Sequence, residues 1–325
     1  MPESMQHVGD ILEALPVVKK AAEKRAPITR SQEKLLDAAT TIRLDPDKVE
    51  RAYMARQLVQ CTLPHSNPGD VPAWTRRSGS AALTIQPGWD TRKDCSFGFP
   101  YGTLPRLLLF WVTTEAVLTK NRRLELGQSL TAFMRELGLD PGRGGKRSDA
   151  RRLRSQMERL FRCRISFDQA TVREDGARGQ RWRSMEVAPE GELWWDPKQP
   201  DQAALWGSWI ELGEKFFEAI TVAPIPADMR ALRALRRSPL ALDLYTWATY
   251  RAYVVSRKGS AQFVPWEGLM KQMGCNYGGV RDFKKKALTA LRKVRSVYPA
   301  LKISDAEGGF MLHPCPPAIA PRTVQ

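Results

Sequence analysis

Apolar residues recur along much of this chain at steps of three and four, and short alternating runs interrupt them. The first period predicts helices and the second half-buried strands. In residues 1–61 the helical period predicts segments at Val8–Lys24, Ser31–Thr41 and Asp47–Gln60, with helix starts at Ser31 and at Asp45–Asp47. Residues 62–80 (TLPHSNPGDVPAWTRRSGS) are dense in Pro, Gly, Ser and Asn and read as a linker. Ala82–Gln86 predicts a strand that opens the next domain.

From Phe99 the pattern tightens. Leu104–Thr119 predicts an apolar helix with Pro105 in its first turn, where the missing N–H does no harm. A short strand at Arg123–Leu126, a helix at Ser129–Leu137 capped by Ser129, a Gly/Pro turn at Gly138–Gly145 and a helix at Ser148–Phe161 follow. Strands at Arg164–Val172 and Arg181–Val187 flank hairpin-loop chemistry at Asp175–Gly179. The same order then returns: helix Pro239–Ser256, strand Gln262–Val264, helix Trp266–Met273, turn Gly274–Gly279, helix Val280–Val297, and strands Leu301–Ser304 and Gly309–Leu312.

Helix, strand, helix, turn, helix, hairpin is the winged-helix order. The two copies have matching internal spacing, 43 positions from Pro105 to Ser148 and 40 from Pro239 to Gly279. The pattern predicts an α+β, mainly helical fold with two tandem winged-helix domains at 81–200 and 201–316. A helical N-terminal extension (1–61) and the linker precede them, and a tail (317–325) follows. Trp194, Trp195, Trp206 and Trp209, between the modules, read as core.

Charge adds a partner to this picture. The 325 residues carry 51 Lys and Arg against 35 Asp and Glu, a net charge of +16. Residues 1–90 contribute +1 and residues 91–325 contribute +15. Such a field attracts polyanions, and nucleic acid is the commonest soluble one; a membrane surface is the other candidate.

The charge falls on particular helices. In Ser148–Phe161, Ala150, Leu153, Met157 and Leu160 form an apolar stripe. Arg147, Arg151 and Arg154 lie on another face, with Lys146 and Arg152 at its edges. In Val280–Val297, Val280, Phe283, Ala287, Leu291 and Val294 form the stripe. Arg281, Lys284, Lys285, Lys286, Arg292, Lys293 and Arg295 stand off or beside it against one acid, Asp282. A helix that packs by one face and presents cations on the other suits a major groove, and Asn276 and Tyr277 precede it within reach of a base edge or phosphate. The first hairpin carries Arg173, Arg178, Arg181 and Arg183 and is expected to touch backbone phosphates. The second carries Asp305 and Glu307 and is expected not to.

Enzymatic signatures are missing. GLDPGRGGKRS at Gly138–Ser148 lacks the glycine and Ser/Thr positions of a phosphate-binding loop and follows a helix instead of a strand. His7, His65 and His313 form no metal-ligand pair, and no GxSxG elbow or acid cluster stands out. The expectation is a non-enzymatic protein without cofactor or metal. Cys61, Cys95, Cys163, Cys275 and Cys315 include no CxxC pair and fit a reducing, cytoplasmic compartment. The N-terminus shows no secretory pattern, and the apolar run Leu107–Val112 is far short of the roughly 20 residues a membrane helix needs.

Three runs carry a family likeness: FPYGTLPRLLLFWVTTEAV from Phe99, ELGQSL from Glu125 and GGKRS from Gly144. With them the chain resembles the plasmid-encoded RepA replication initiators over about residues 95–315, PYG-x-x-PRLLL-x-W being the most specific part. The resemblance implies binding to repeated double-stranded sites (iterons) in a plasmid origin, opening of an adjacent AT-rich stretch, and recruitment of host helicase and initiator proteins. It also implies autorepression and a monomer–dimer balance. Charge and periodicity reach only to duplex DNA binding, with the two helices expected in successive major grooves about 10–10.5 base pairs apart. A transcriptional repressor shares all of that physics and stays open as an alternative, as does a DNA-nicking enzyme. RNA binding lacks an aromatic strand motif.

Overall fold

The computed structural model describes residues 29–127, 129–142, 148–194 and 207–319. The segment Val8–Lys24, with Lys146, Arg147, Trp195 and Trp206, lies outside the described residues.

Helix α1 (Arg30–Leu44) begins at a capping box. The Thr29 hydroxyl accepts from the Gln32 N–H, and the Gln32 side chain accepts from the Thr29 N–H, one residue ahead of the predicted start. Asp45, predicted as a helix start, is instead the residue at which α1 ends. The helix expected over Asp47–Gln60 is replaced by a strand, β1 (Arg51–Met54), and a short helix, α2 (Arg56–Gln60). Ala52, Tyr53 and Met54 are all buried; the segment pairs with a strand far along the chain, and the Tyr53 N–H donates to the Thr114 hydroxyl at 2.9 Å. A short apolar run is locally ambiguous, and here the distant partner decides.

Strands β2 (Trp74–Ser78) and β3 (Ala81–Gln86) form a hairpin whose first strand lies in the stretch read as linker. A small ladder of β4 (Trp89–Asp90) and β5 (Cys95–Ser96) precedes α3 (Leu104–Thr119), which has the predicted bounds and is buried along most of its length. After β6 (Arg123–Glu125), α4 (Leu130–Glu136) and α5 (Asp149–Phe161) start at Ser129 and Ser148, whose hydroxyls accept from the N–H groups of Ala132 and Arg151. Strands β7 (Arg164–Val172) and β8 (Arg178–Glu186) flank a tighter loop than expected, closed by the Arg173 N–H on the Ala177 carbonyl with Gly176 at φ +81°.

Next come β9 (Glu190–Glu192), β10 (Trp209–Glu211), α6 (Glu214–Thr221), β11 (Ile225–Asp228) and α7 (Met229–Leu235). Helix α8 (Pro239–Lys258) ends at Gly259 in the left-handed region. Strand β12 (Gln262–Pro265), α9 (Trp266–Gln272), α10 (Val280–Val297), β13 (Ile303–Ala306) and β14 (Gly309–Leu312) complete the described chain. Strand β13 begins two residues later than expected.

The fold is mixed α/β, and its two halves share an element order without sharing strand pairing. In the second, β12 pairs with β14 of the following hairpin, in the order β12-β14-β13. In the first, β6 pairs with β10 in the order β6-β10-β9, while the β7–β8 hairpin is extended by β3 and β2. One connected apolar core runs through both halves, and β1–β11 ties the N-terminal segment to the second.

The tryptophans between the halves divide. Trp209 is half-buried with the Arg123 guanidinium 3.9 Å over its ring. Trp194, expected in the core, is 55% exposed, because it follows β9 at a sheet edge and only its backbone is held, by the Ser208 hydroxyl. Among the described residues no helix is long and apolar enough to cross a membrane.

Candidate nucleic-acid interface

Helix α5 packs through Ala150, Leu153, Met157, Leu160 and Phe161, all buried, mainly against α3. Gln156 adds a polar tie by accepting from the Tyr101 N–H at 2.9 Å. That packing turns Arg151 and Arg152 outward, with Arg154 half-exposed beside them. Arg152 pairs with Asp149 at 3.2 Å and Arg154 with Glu158 at 3.4 Å. Exposed pairs of this kind are worth roughly 0–1 kcal/mol, so a phosphate competes for these guanidinia at little cost.

Helix α10 buries Phe283, Ala287, Ala290, Leu291, Val294 and Val297. Val280, expected in this stripe, is 37% exposed: it lies at the very start of the helix, within the turn closed by the Phe283 N–H on the Gly279 carbonyl, and the buried stripe starts at Phe283. Arg281, Lys284, Lys285, Lys286, Arg292, Lys293 and Arg295 are exposed, and none makes an ion pair among the described residues. Arg281 with Lys284 and with Lys285 are like-charge pairs at helix-neighbour spacing, and Arg281 also meets the positive end of the helix dipole. Each arrangement destabilises an isolated helix by a few tenths of a kcal/mol and is relieved by an outside anion.

The turn before α10 is built by parts of the chain the sequence did not connect with it. The Thr62 N–H donates to the Gln272 carbonyl, the His65 N–H donates to the Gly274 carbonyl at 2.7 Å, and the Gly274 N–H donates to the Thr62 hydroxyl at 2.7 Å. The backbones pass so closely that a Cβ on Gly274 would fall 1.5 Å from the Leu63 carbonyl oxygen. Arg76, from β2, donates to the Cys275 carbonyl at 2.7 Å and to the Asn276 side-chain oxygen. Asn276 is exposed but held by Arg76, while Tyr277 is half-buried with its ring 5.9 Å from Phe283. Burial raises the Tyr277 hydroxyl above its ordinary range. Nothing local in the sequence points to Arg76, whose role depends on where β2 lands.

In the first hairpin Arg178, Arg181 and Arg183 are all exposed, but alternation divides them. Arg181 and Arg183 share a face with buried Met185, opposite Gln169 and Phe167. Arg178 stands on the other face with Trp182, which is 71% exposed. Arg183 reaches Glu218 of α6 at 3.5 Å. In the second hairpin Asp305 and Glu307 are exposed.

Among the described residues no group of three His, Cys, Asp or Glu side chains is placed to hold a metal ion. The site is thus two packed helices with cationic outer faces on a mixed α/β scaffold. A family model described as plasmid encoded RepA protein matches residues 99–268, just over half of the chain. The chain belongs to this family of plasmid-encoded RepA proteins. A crystal structure of RctB domains 2–3 is similar at 12% identity and a TM-score of 0.46, covering 79% of this chain and 94% of that one. A structure of selenomethionine derivatives of RctB domains 2 and 3 gives 12% identity and 0.47 over 78% and 94%. No curated protein sequence matches the chain.

Proposed function

We propose that this protein initiates plasmid replication by binding repeated double-stranded DNA sites at an origin through two winged-helix units, one built from α3 to β8 and the other from α8 to β14. Origin opening and helicase recruitment follow from that binding. The observation that carries the reading is the pair α5 and α10. They occupy the same slot of a repeated element order, and each buries an apolar face and turns cations outward. Arg151, Arg152 and Arg154, with Lys146 and Arg147 just ahead of them in the chain, contact DNA from the first unit. Arg281, Lys284, Lys285, Lys286 and Arg292, with Asn276 and Tyr277, contact it from the second. Phosphate contacts supply most of the affinity, and side chains near the helix N-termini supply sequence choice.

The first hairpin adds backbone contacts through Arg178, Arg181 and Arg183. A footprint on the DNA flanking the gene tests the binding. Protection of direct repeats is expected, and no protection of any flanking DNA contradicts the reading. An origin-dependent replication assay separates an initiator from a repressor, because only the initiator supports synthesis.

A further inference from the structure

Helices α1 and α7 enclose a cleft of about 340 Å³ whose walls are cationic. Lys34 and Thr41 come from α1; Arg230, Arg233, Arg236 and Arg237 come from α7 and the turn after it. Among the described residues that line the cleft none is acidic. Arg230 and Arg233 are fixed parts of the wall. Arg230 is paired with Asp228 at 2.7 Å and donates to the Asp45 carbonyl at 2.9 Å, and Arg233 is bonded to Glu50 and, at 3.0 Å, to the Glu136 carbonyl. Lys34 and Arg237 make no hydrogen bond or ion pair among the described residues. Arg236 makes one, to the Arg233 carbonyl at 3.3 Å.

A guanidinium offers five N–H donors in a planar fork that matches a phosphate, so Arg236 and Arg237 present forks with little to bond. Arg236 is half-buried, and burial together with the neighbouring Arg237 charge disfavours its cationic form. An anion in the cleft relieves that strain. The place is informative as well. Arg233 lies so close to Gly138 that a Cβ there would fall 2.7 Å from its side chain, and Asp140 and Asp149 act electrostatically on Arg236. The cleft therefore lies beside Gly138 and Asp140 and the first residues of α5, the end of that helix proposed to face DNA.

We propose that this cleft is a phosphate-binding site, filled by a backbone phosphate of the duplex beside the groove that α5 enters. This rests in part on the proposed function. The same chemistry would also accept a free polyphosphate, and the experiment has an arm for each source. Lys34→Ala/Arg237→Ala removes two exposed, unpaired charges, and an unchanged melting temperature without ligand confirms folding.

In the duplex arm, the slope of log affinity against log salt is measured for the wild type, for this variant and for Lys284→Ala/Lys285→Ala. In the second arm, the melting temperature of DNA-free protein is followed with added tripolyphosphate. A slope shallower by about 0.9 per phosphate left unneutralised in the cleft variant assigns the site to DNA. A tripolyphosphate-induced rise in melting temperature that the variant fails to show assigns it to a free polyphosphate. The inference is overturned if the cleft variant matches the wild type in both arms. If only the α10 variant then changes the slope, the DNA-binding reading stands without the cleft. If the wild type shows no duplex binding, that reading fails and the tripolyphosphate arm alone decides the cleft.

Discussion

Arg106 and Asp243 meet in a two-pronged pair, Nε to Oδ1 at 2.7 Å and Nη2 to Oδ2 at 2.8 Å, although 137 positions separate them in the chain. They sit near the starts of α3 and α8, the first helices of the two proposed units. The rest of the Arg106 fork donates to the carbonyls of Leu63, Pro64 and Gly102, so one buried guanidinium fastens both units to the strap that holds the turn before α10. Burial alone would raise the Asp243 carboxyl, but Arg106 and His65 hold it well below the usual carboxylate range.

Removing one partner leaves the other buried and unpaired. Asp243→Asn is expected to cost about 3–5 kcal/mol, and Arg106→Met combined with Asp243→Leu is expected to destabilise as well, because it leaves the Leu63, Pro64 and Gly102 carbonyls and the His65 ring without their buried partner. Urea denaturation compares them. A single variant as stable as the wild type would contradict the role given to this pair.

The His65 Nε2–H donates to the ionised Asp243 carboxylate at 2.8 Å, and the ring is also near Arg106 and Arg76. Burial, with help from the two arginines and against Asp243, lowers its pKa. The folded protein thus binds this proton less readily than the unfolded chain does. Acidification from about pH 6.5 down towards the lowered value favours unfolding, by at most about 1.4 kcal/mol per pH unit. Depression of Asp243 adds a further loss only below about pH 4. His65→Gln should flatten the decline in melting temperature between pH 7 and 5. A decline as steep as that of the wild type would show that other groups titrate there.

Gly274→Ala forces a Cβ into the Leu63 carbonyl and is expected to cost at least about 1–3 kcal/mol. Gly278, four positions on, has nothing within 4 Å of its would-be Cβ, so Gly278→Ala should stay within roughly 0.5 kcal/mol of the wild type. Thermal unfolding of the two variants side by side checks the contrast.

Much of this architecture was legible because it is locally encoded. The bounds of α3 and α10, the cap at Ser129 and the start of α5 beside Ser148 follow from periodicity and N-cap chemistry within a few residues. What was not legible depends on distant partners. Strand β1 exists because Ile225–Asp228 lies beside it, and Arg76 matters because β2 delivers it to Asn276. The arginines at 230, 233, 236 and 237 recur at nearly three-residue steps, a signal visible in MRALRALRR, but nothing local shows that α1 faces them across a cleft.

The hairpins give a prediction with a built-in control. Arg181→Ala/Arg183→Ala removes two cations from one face of β8 and should weaken duplex binding and make its salt dependence shallower by about 0.9 per phosphate no longer neutralised. Asp305→Asn/Glu307→Gln in the second hairpin should cause no weakening. Equal weakening from both hairpins in a fluorescence-anisotropy titration would contradict the assignment.

Lys284→Ala/Lys285→Ala shows whether the outer face of α10 meets duplex DNA. Both lysines are exposed and unpaired among the described residues, so the fold should be unaffected. A plot of log affinity against log salt is expected to be shallower than that of the wild type by about 0.9 for each phosphate that a lysine had neutralised. A line superimposable on the wild type's, in both slope and height, would mean that this face does not touch DNA.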